Sequence, residues 1–295
     1  MNHVFSRLKG TGVAIVTPFK SDLTVDYNSI KTLVDHVIDG GVSYIVVQGT
    51  TGESSTLSEE EKIKTRSNFL SANNGRVPMV LGLGGNDTDY LVKKLRESDF
   101  DGFSALLSVV PYYNKPSQNG LFKHFSQIVN FSKLPIILYN VPGRTGCNLE
   151  PETTIKLANS FKNIIGIKEA NPDVNQIKKL ITNRPKNFLI ISGDDETAPN
   201  SIINGADGVI SVAANAIPKK FVEIINLSLL KDKTKVFEML NEINPFLKLL
   251  FEEGNPSGVK SALNDLGLCQ NNLRLPLVPV SLKLERKIKN FISKI

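Results

Sequence analysis

The sequence predicts an α/β protein, a (β/α)8 TIM barrel followed by a C-terminal helical region. One unit recurs eight times over about 225 residues: a short run of β-branched residues, a polar loop and an amphipathic helical pattern. Alternating strands and helices require a parallel sheet with right-handed crossovers, and eight units match the barrel in number and length. After residue 230 only helical periodicity remains. We therefore expect a catalytic barrel over 1–229 and a helical region over 230–295.

The eight units follow one another without interruption. The strand candidates are GVAIVTPF, VSYIVVQG, VPMVLGLG, DGFSALLSVV, LPIILYN, NIIGIKEA, NFLIISGD and DGVISVA. The helix patterns after them are DYNSIKTLVDHVIDGG, a helix that opens at Ser58, DTDYLVKKLRES, QNGLFKHFSQIVNFS, EPETTIKLANSF, DVNQIKKLITN, ETAPNSIINGA and IPKKFVEIINLSLL. Gly40-Gly41 is a favoured helix end, and Ser58 with Glu61 has the form of a capping box.

A doubly wound sheet is the alternative fold for such alternation. Its dinucleotide fingerprint is missing, because no G-x-G-x-x-G follows the first strand and LGLGGN at 81–86 lacks the final glycine. The barrel is therefore preferred.

Composition and charge exclude several function classes. The N-terminus MNHVFSRLKG lacks the apolar run of a secretion signal, and no apolar stretch approaches the roughly 20 residues of a membrane helix. Cys147 and Cys269 have no partner at metal-ligand spacing, which argues against a disulfide framework and a metal site. The net charge of +6 includes the tail KLERKIKNFISKI. Its apolar residues recur near helical spacing without aromatic platforms, which favours a packed helix over a nucleic-acid patch: Leu282, Leu284, Ile288, Phe291 and Ile292. We expect a soluble, cytoplasmic protein.

Residues just past the C-terminal ends of barrel strands build the active site of this fold. The sequence places chemically useful groups at five of these ends: Gly49-Thr-Thr-Gly-Glu53, Pro111-Tyr-Tyr-Asn114, Tyr139-Asn-Val-Pro-Gly-Arg-Thr-Gly146, Lys168-Glu169 and Ser192-Gly-Asp-Asp195. They should converge on one rim of the barrel.

Lys168 ends a run of branched apolar residues that otherwise indicates a buried strand. Strict alternation would put it on one face with Gly166 and Ile164, and Ile165 and Ile167 on the other. Burial disfavours the charged ammonium, and a neutral amine can condense with a carbonyl to form a Schiff base. The alternative is a lysine that reaches solvent or pairs with an acid such as Glu169.

Hydroxyl groups at the other strand ends favour the catalytic interpretation. Thr50, Tyr113 and Tyr139 can transfer protons without a fixed charge beside the amine. Taken singly, each is more often a packing or turn residue. Arg144 has a guanidinium suited to holding a carboxylate by paired hydrogen bonds, although a solvated arginine is as common. The acidic loop Gly193-Asp-Asp-Glu196 argues against phosphorylated substrates and pyridoxal phosphate.

Six motifs in register then resemble the dihydrodipicolinate synthase family, of the class I aldolase superfamily that includes N-acetylneuraminate lyase: GTTGES, PYYNKPS, YNVPGRTG, IGIKEA, SGDD and GVISV. The resemblance implies condensation of pyruvate with L-aspartate 4-semialdehyde, without metal or organic cofactor, in tetramers built from tight dimers. It also implies the Schiff base at Lys168 and a proton relay of Tyr139, Thr50 and a Tyr113 inserted from the neighbouring subunit.

The same resemblance assigns the binding groups. Thr51 and the backbone at Ile210 would hold the pyruvate carboxylate, Gly193 would line the site, and Arg144 would bind the semialdehyde carboxylate. Sialic acid lyases lack an arginine at that point of the loop, because their second substrate is a neutral sugar, so the synthase is preferred over an aldolase for uncharged aldehydes.

One departure from the family concerns feedback inhibition. Lysine-inhibited members resemble this chain at Ser54, Ser55, Asn86 and Tyr112, but they have a histidine in place of Lys62 and a glutamate in place of Tyr90. Loss of the acid and gain of a cation should weaken lysine binding. The sequence therefore predicts weak or absent inhibition by L-lysine.

Two rival functions remain open at this point. A non-catalytic barrel that senses keto acids would use Arg144 and the threonines without covalent chemistry. A pyridoxal phosphate enzyme is a second rival, which the acidic loop disfavours.

Overall fold

The computed structural model describes residues 2–294, with side chains from residue 5 onward. Eight parallel strands form a closed barrel in sequence order, and β1 pairs with both β2 and β8. The strands are β1 Gly10–Ala14, β2 Tyr44–Val47, β3 Met79–Gly82, β4 Ala105–Val109, β5 Ile136–Asn140, β6 Ile164–Glu169, β7 Leu189–Ser192 and β8 Gly208–Ser211. The predicted TIM barrel is confirmed.

Helices alternate with the strands and surround them. They are α1 Asn2–Arg7, α2 Tyr27–Asp39, α3 Glu59–Asn73, α4 Thr88–Glu97, α5 Gln118–Phe131, α6 Pro142–Thr145, α7 Pro151–Ser160, α8 Val174–Asn183, α9 Ala198–Ile203, α10 Pro218–Leu229, α11 Lys233–Phe251, α12 Ser257–Asp265 and α13 Leu282–Ile292. The sequence did not predict α1, which precedes the barrel. Helices α11, α12 and α13 form the expected C-terminal helical region.

Local sequence signals define several helix ends. At the start of α3, the Ser58 hydroxyl accepts from the backbone N–H of Glu61, and the Glu61 carboxylate accepts from that of Ser58. This reciprocal pair is the predicted capping box, which satisfies two otherwise unpaired donors. Helix α2 buries one apolar stripe against the barrel and ends at Gly40, also as predicted.

The first strand ends earlier than its apolar run. The run continues to Phe19, but β1 stops at Ala14. Beyond it, the Val16 amide donates to the Asn215 side chain and the Thr17 hydroxyl donates to the Gly52 carbonyl. Val16 and Phe19 are fully buried there, so the run is apolar because it packs under loops.

An irregularity in β6 changes the faces predicted by alternation. Ile136 of β5 pairs with Ile164, whereas Ile137 pairs with Gly166, so one extra residue is accommodated in β6. Ile165 therefore packs inside the barrel, while Ile164 and Ile167 pack in the layer between strands and helices. The expectation that Ile164 shares the face of Lys168 is wrong, because strict alternation does not survive a bulge.

The C-terminal helical region packs back onto the barrel. Helix α11 contacts α10, and α13 contacts both α11 and α12. The ring of Phe291 in α13 stacks on the ring of Phe246 in α11, with 4.9 Å between the ring centres. Leu284 and Ile288 of α13 are buried as predicted, but Leu282 is 71% exposed. The basic residues of α13 form its outer face. Within residues 2–294, the helices are all too short or too polar to cross a membrane.

Candidate active site

The amine of Lys168 and the ring of Tyr139 meet at the C-terminal ends of β5 and β6. The two residues are register partners in the sheet, and the Lys168 Nζ lies 4.5 Å from the centre of the Tyr139 ring. Both side chains are buried. Over residues 5–294 the Lys168 amine forms no ion pair, so the alternative of pairing with Glu169 is not what the structure has. This arrangement leaves a buried amine beside a phenol.

Gly193 follows β7 and lies against the same lysine. A Cβ atom built on Gly193 would be 3.0 Å from the Lys168 Cε and 2.6 Å from the Ala170 Cβ. Any other residue would push on the lysine side chain or on the loop behind it. The structure therefore places Gly193 beside the Lys168 side chain.

A cavity of about 700 Å³ opens at this end of the barrel. Thr50, Tyr139 and Arg144 line it, together with Tyr112 and the glycine-rich segment after β3. Lys168 does not line the cavity directly, but it contacts Tyr139, which does. Arg144 lies in the short helix α6 and is exposed, so its guanidinium is free to meet an anionic ligand.

Thr51 and Ile210 are both buried, and neither lines the cavity. Ile210 of β8 packs in the interior cluster that also contains Tyr139 and Ile191. Thr51 is buried, and its hydroxyl accepts a hydrogen bond from the side-chain amide of Asn255, at 3.0 Å. Ile210 therefore lies in the barrel interior, whereas Thr51 lies in the loop after β2, against the C-terminal helical region.

The structure does not assemble a proton relay within one chain. Tyr113 has a left-handed backbone, with φ of 72°, and its side chain is 87% exposed and outside the cavity. Among the described residues, no hydrogen bond joins Tyr139 to Thr50 or Tyr113. Of the four predicted catalytic residues, Lys168 and Tyr139 are in contact, Thr50 shares the cavity, and Tyr113 points away.

A buried polar network lies directly behind Lys168. The Glu169 carboxylate accepts hydrogen bonds from the Asn140 side chain at 3.0 Å, the Gln176 side chain at 2.8 Å and the Asn171 backbone at 2.7 Å. Asn140 follows Tyr139 as Glu169 follows Lys168, so the network ties together the ends of β5 and β6. Burial raises the pKa of Glu169 to about 7, although hydrogen bonds from Gln176, Asn171 and Asn140 favour the ionised form.

The acidic loop after β7 has a structural role. The Asp195 carboxylate is buried and accepts hydrogen bonds from the backbone N–H groups of Val212 and Ala213, at 3.0 and 2.8 Å. Asp194 accepts from Thr197 at the start of α9. Neither acid lines the cavity.

The predicted effector residues lie together in the same cavity. Ser54, Ser55, Asn86, Tyr112, Lys62 and Tyr90 all line it. Glu59 is an acid in this cavity that was not identified from the sequence. The Lys94 amine lies 2.7 Å from one oxygen of the Glu59 carboxylate, and the Lys62 amine lies 3.1 Å from the other. The Tyr90 hydroxyl donates to the same carboxylate at 3.3 Å. Hydrogen bonds from Lys94 and Lys62 lower the pKa of Glu59 to about 2. The acid is thus already paired.

Sequence reasoning missed the part of the site that comes from the C-terminal helical region. Asn255 reaches Thr51, and Lys260 of α12 forms an ion pair with Glu53 in which both side chains are fully buried. The bonded residues are about 200 positions apart in the chain, at separations of 204 and 207. No periodicity or local motif links positions so distant. No group of three His, Cys, Asp or Glu side chains suited to a metal ion occurs among the described residues.

Comparisons with known proteins agree on one family. A model of the dihydrodipicolinate synthetase family matches residues 7–295. The 4-hydroxy-tetrahydrodipicolinate synthase of Flavobacterium psychrophilum is 49% identical over 97% of this chain and 98% of its own. A monomeric dihydrodipicolinate synthase variant superposes with a TM-score of 0.95 at 41% identity, over 98% of this chain and 97% of its own. The dihydrodipicolinate synthase of Thermotoga maritima superposes with a TM-score of 0.94 at 41% identity, over 97% of this chain and 98% of its own.

We expect Glu169 to make the protein less stable as the pH rises. A carboxyl whose pKa is raised by folding, here from 4.5 to about 7, stabilises the fold below pH 4.5, and that contribution is lost as the pH rises through about 7. The Glu169→Gln variant has no such carboxyl, so this loss disappears. The slope of the free energy of unfolding against pH then changes by at most about 1.4 kcal/mol per pH unit. Denaturant unfolding of both proteins between pH 5 and 8 measures the difference. Parallel profiles would show that Glu169 stays ionised throughout.

Proposed function

Because the chain belongs to the dihydrodipicolinate synthetase family, we propose that it condenses pyruvate with L-aspartate 4-semialdehyde to give 4-hydroxy-tetrahydrodipicolinate, the committed step of lysine and diaminopimelate biosynthesis. The observation that supports this most directly is the buried Lys168 amine against Tyr139, at the end of the barrel where the cavity opens. An amine in that position has the surroundings that a Schiff-base nucleophile needs.

Lys168 is the proposed nucleophile. Its amine nitrogen adds to the keto carbon of pyruvate, and loss of water gives a Schiff base. The Schiff base withdraws electrons, so the adjacent methyl carbon loses a proton and attacks the aldehyde of the second substrate. The amino group of that substrate then displaces Lys168 and closes the ring.

Tyr139 is the proposed general acid and base for these proton transfers, completed by Thr50 and by Tyr113 of a neighbouring subunit. The contact of Tyr139 with Lys168 supports the first assignment. The exposure of Tyr113 supports its assignment to a neighbouring site, since a side chain that is 87% exposed in one subunit is available to another. Hydroxyl groups suit this task because they leave no fixed charge beside the amine.

The carboxylates of the two substrates are bound by different groups in this proposal. Thr51 and the backbone at Ile210 hold the pyruvate carboxylate, and Gly193 leaves room beside Lys168. Arg144 binds the carboxylate of the semialdehyde, for which an exposed guanidinium on the cavity wall is well suited. No metal or organic cofactor takes part in the proposed chemistry.

We propose a homotetramer built from tight dimers, with the catalytic barrel over 1–229 and the helical region over 230–295. The similar structure of a monomeric variant shows that this barrel exists without such assembly in at least one relative. The enzyme is proposed to act in the cytoplasm, without nucleic-acid or membrane partners. Cys147 and Cys269 are free and buried, as is usual for proteins of reducing compartments.

Trapping of the Schiff base tests the central assignment. Borohydride reduction with pyruvate is expected to add one stable adduct to the peptide that contains Lys168, detected by mass spectrometry. Lys168→Arg keeps a long basic side chain, but a guanidinium is not a nucleophile at neutral pH, so the variant should give no adduct and no turnover while its circular dichroism spectrum stays unchanged. An adduct on another lysine, or turnover by the variant, would remove Lys168 from its role. A keto-acid sensor would bind pyruvate without any adduct.

Arg144→Ala should impair use of the semialdehyde far more than use of pyruvate. Loss of a paired hydrogen bond between guanidinium and carboxylate costs about 3 kcal/mol, or roughly 100-fold in kcat/KM for the semialdehyde. Arg96→Ala is the matched control, since Arg96 is also exposed but does not line the cavity. Equal losses of kcat/KM for both substrates in Arg144→Ala would contradict the assignment. Separately, if the unmodified protein turned over N-acetylmannosamine or glyceraldehyde better than the semialdehyde, it would belong to the lyase branch.

Complementation tests the contribution of Tyr113 from a neighbouring subunit. Tyr113→Ala and Lys168→Ala should each be inactive alone, because each lacks one half of every site. Subunits mixed in equal amounts and allowed to exchange should regain roughly a quarter of the sites, since half of the dimers are mixed and each mixed dimer has one complete site. Mixtures that remain inactive despite demonstrated exchange would place Tyr113 outside the site.

L-Lysine should inhibit weakly or not at all, because Glu59 is already paired with Lys62 and Lys94. Initial rates across a series of L-lysine concentrations measure this, and half-inhibition below the millimolar range would overturn it. The double variant Lys62→His with Tyr90→Glu removes a cation and adds an acid in the same cavity. It is expected to gain sensitivity to L-lysine without losing basal activity.

A further inference from the structure

The hydroxyl of Thr51 has one hydrogen-bond partner in the described chain, the side-chain amide of Asn255. The contact is 3.0 Å long and lies between two buried residues, Thr51 at 3% and Asn255 at 6% exposure. Thr51 belongs to the loop after β2, whereas Asn255 lies between α11 and α12. A side chain of the C-terminal helical region therefore touches a residue of the proposed pyruvate site.

The direction of this hydrogen bond matters. The Asn255 amide donates, so a lone pair of the Thr51 oxygen is occupied while the Thr51 proton is left without an acceptor. A threonine hydroxyl otherwise rotates to suit its surroundings. A carboxylate can only accept hydrogen bonds, so it needs a donor. Because the Asn255 amide donates to the Thr51 oxygen, the Thr51 hydroxyl proton stays available for donation to a carboxylate.

The segment that holds Asn255 is fastened on the same loop. Lys260, on the first turns of α12, pairs with Glu53, two residues after Thr51, and both side chains are fully inaccessible to solvent. The other oxygen of the Glu53 carboxylate accepts from the backbone N–H of Arg274, at 3.1 Å. The loop after β2 is thus held by the C-terminal helical region at Thr51 and at Glu53.

Asn255 is poorly explained by the stability of the fold alone. Its Oδ1 is buried without a hydrogen-bond partner in the described chain, and leaving such an atom unpaired costs free energy. The side-chain nitrogen of Asn255 donates one hydrogen bond in the described chain, to the Thr51 hydroxyl. Asn255 also lines the cavity. An apolar residue would avoid the unpaired oxygen, so the contact with Thr51 is what the asparagine provides.

We propose that Asn255 is a positioning residue that presents the Thr51 hydroxyl as a donor to the pyruvate carboxylate, and that the C-terminal helical region thereby forms part of the substrate site. The proposal rests on the role of Thr51 in the proposed function. In this proposal Asn255 acts through its hydrogen bond to Thr51.

The test is steady-state kinetics of Asn255→Ala. We expect KM for pyruvate to rise roughly tenfold, as for loss of one hydrogen bond to a charged group, while KM for the semialdehyde changes less than twofold. Asn255→Asp is nearly the same size but cannot donate, and it should show the same selectivity. Asn272→Ala is the matched control, since Asn272 also joins the helical region to the barrel, through the Phe19 carbonyl, but not to Thr51. Its pyruvate KM should stay unchanged.

A double-mutant cycle then separates positioning from general loosening. If Asn255 acts through Thr51, adding Asn255→Ala to Thr51→Val should produce little further change in the pyruvate KM. Additive effects, equal losses for both substrates, or a normal pyruvate KM in Asn255→Asp would overturn the proposal. Borohydride trapping on the unmodified protein is the independent readout. Absence of an adduct at Lys168 would defeat the proposed function itself, whereas a normal adduct with additive effects would defeat only the role of Asn255.

Discussion

Closure of the barrel is the constraint on which the rest of the structure depends. Since β1 pairs with both β2 and β8, the sheet has no free edge and all eight strands end on one rim. Residues far apart in sequence meet there: Lys168 on β6, Tyr139 on β5, Ile210 on β8, and the loops after β2 and β7. A change that opened the barrel would separate the amine from the groups around it.

The rim is stiffened by buried polar groups rather than by apolar packing alone. Behind Lys168 and Tyr139, the Glu169 network satisfies a carboxylate with three donors from three different elements. Removing any one of these donors would leave the buried carboxylate with one hydrogen bond fewer in a low-dielectric environment, where an unsatisfied charged group is costly. The network therefore penalises slippage of β5 against β6, which is the pairing that sets the distance between the amine and the phenol.

The C-terminal helical region has a closer connection to the site than its position in the chain implies. The buried pair of Lys260 and Glu53 is strongly interdependent, because either charge without the other would be uncompensated. The Lys260 amine also lies 4.2 Å from the ring centre of Phe19, which belongs to the segment that follows β1. The proposed substrate loop is thereby held from the barrel side and from the helical side at once.

The sequence alone determined the barrel, the rim residues and the identity of the buried lysine. Repeating hydrophobic periodicity, capping signals such as Ser58 with Glu61, and polar residues at strand ends are local patterns that report on local geometry. Only the tertiary structure decided three matters: the bulge that turns Ile165 inward, the exposure of Tyr113, and the contacts of Asn255 and Lys260 with the loop after β2. These depend on how distant segments pack, because a bulge and a long-range hydrogen bond have no signature within the few residues over which sequence periodicity can be recognised.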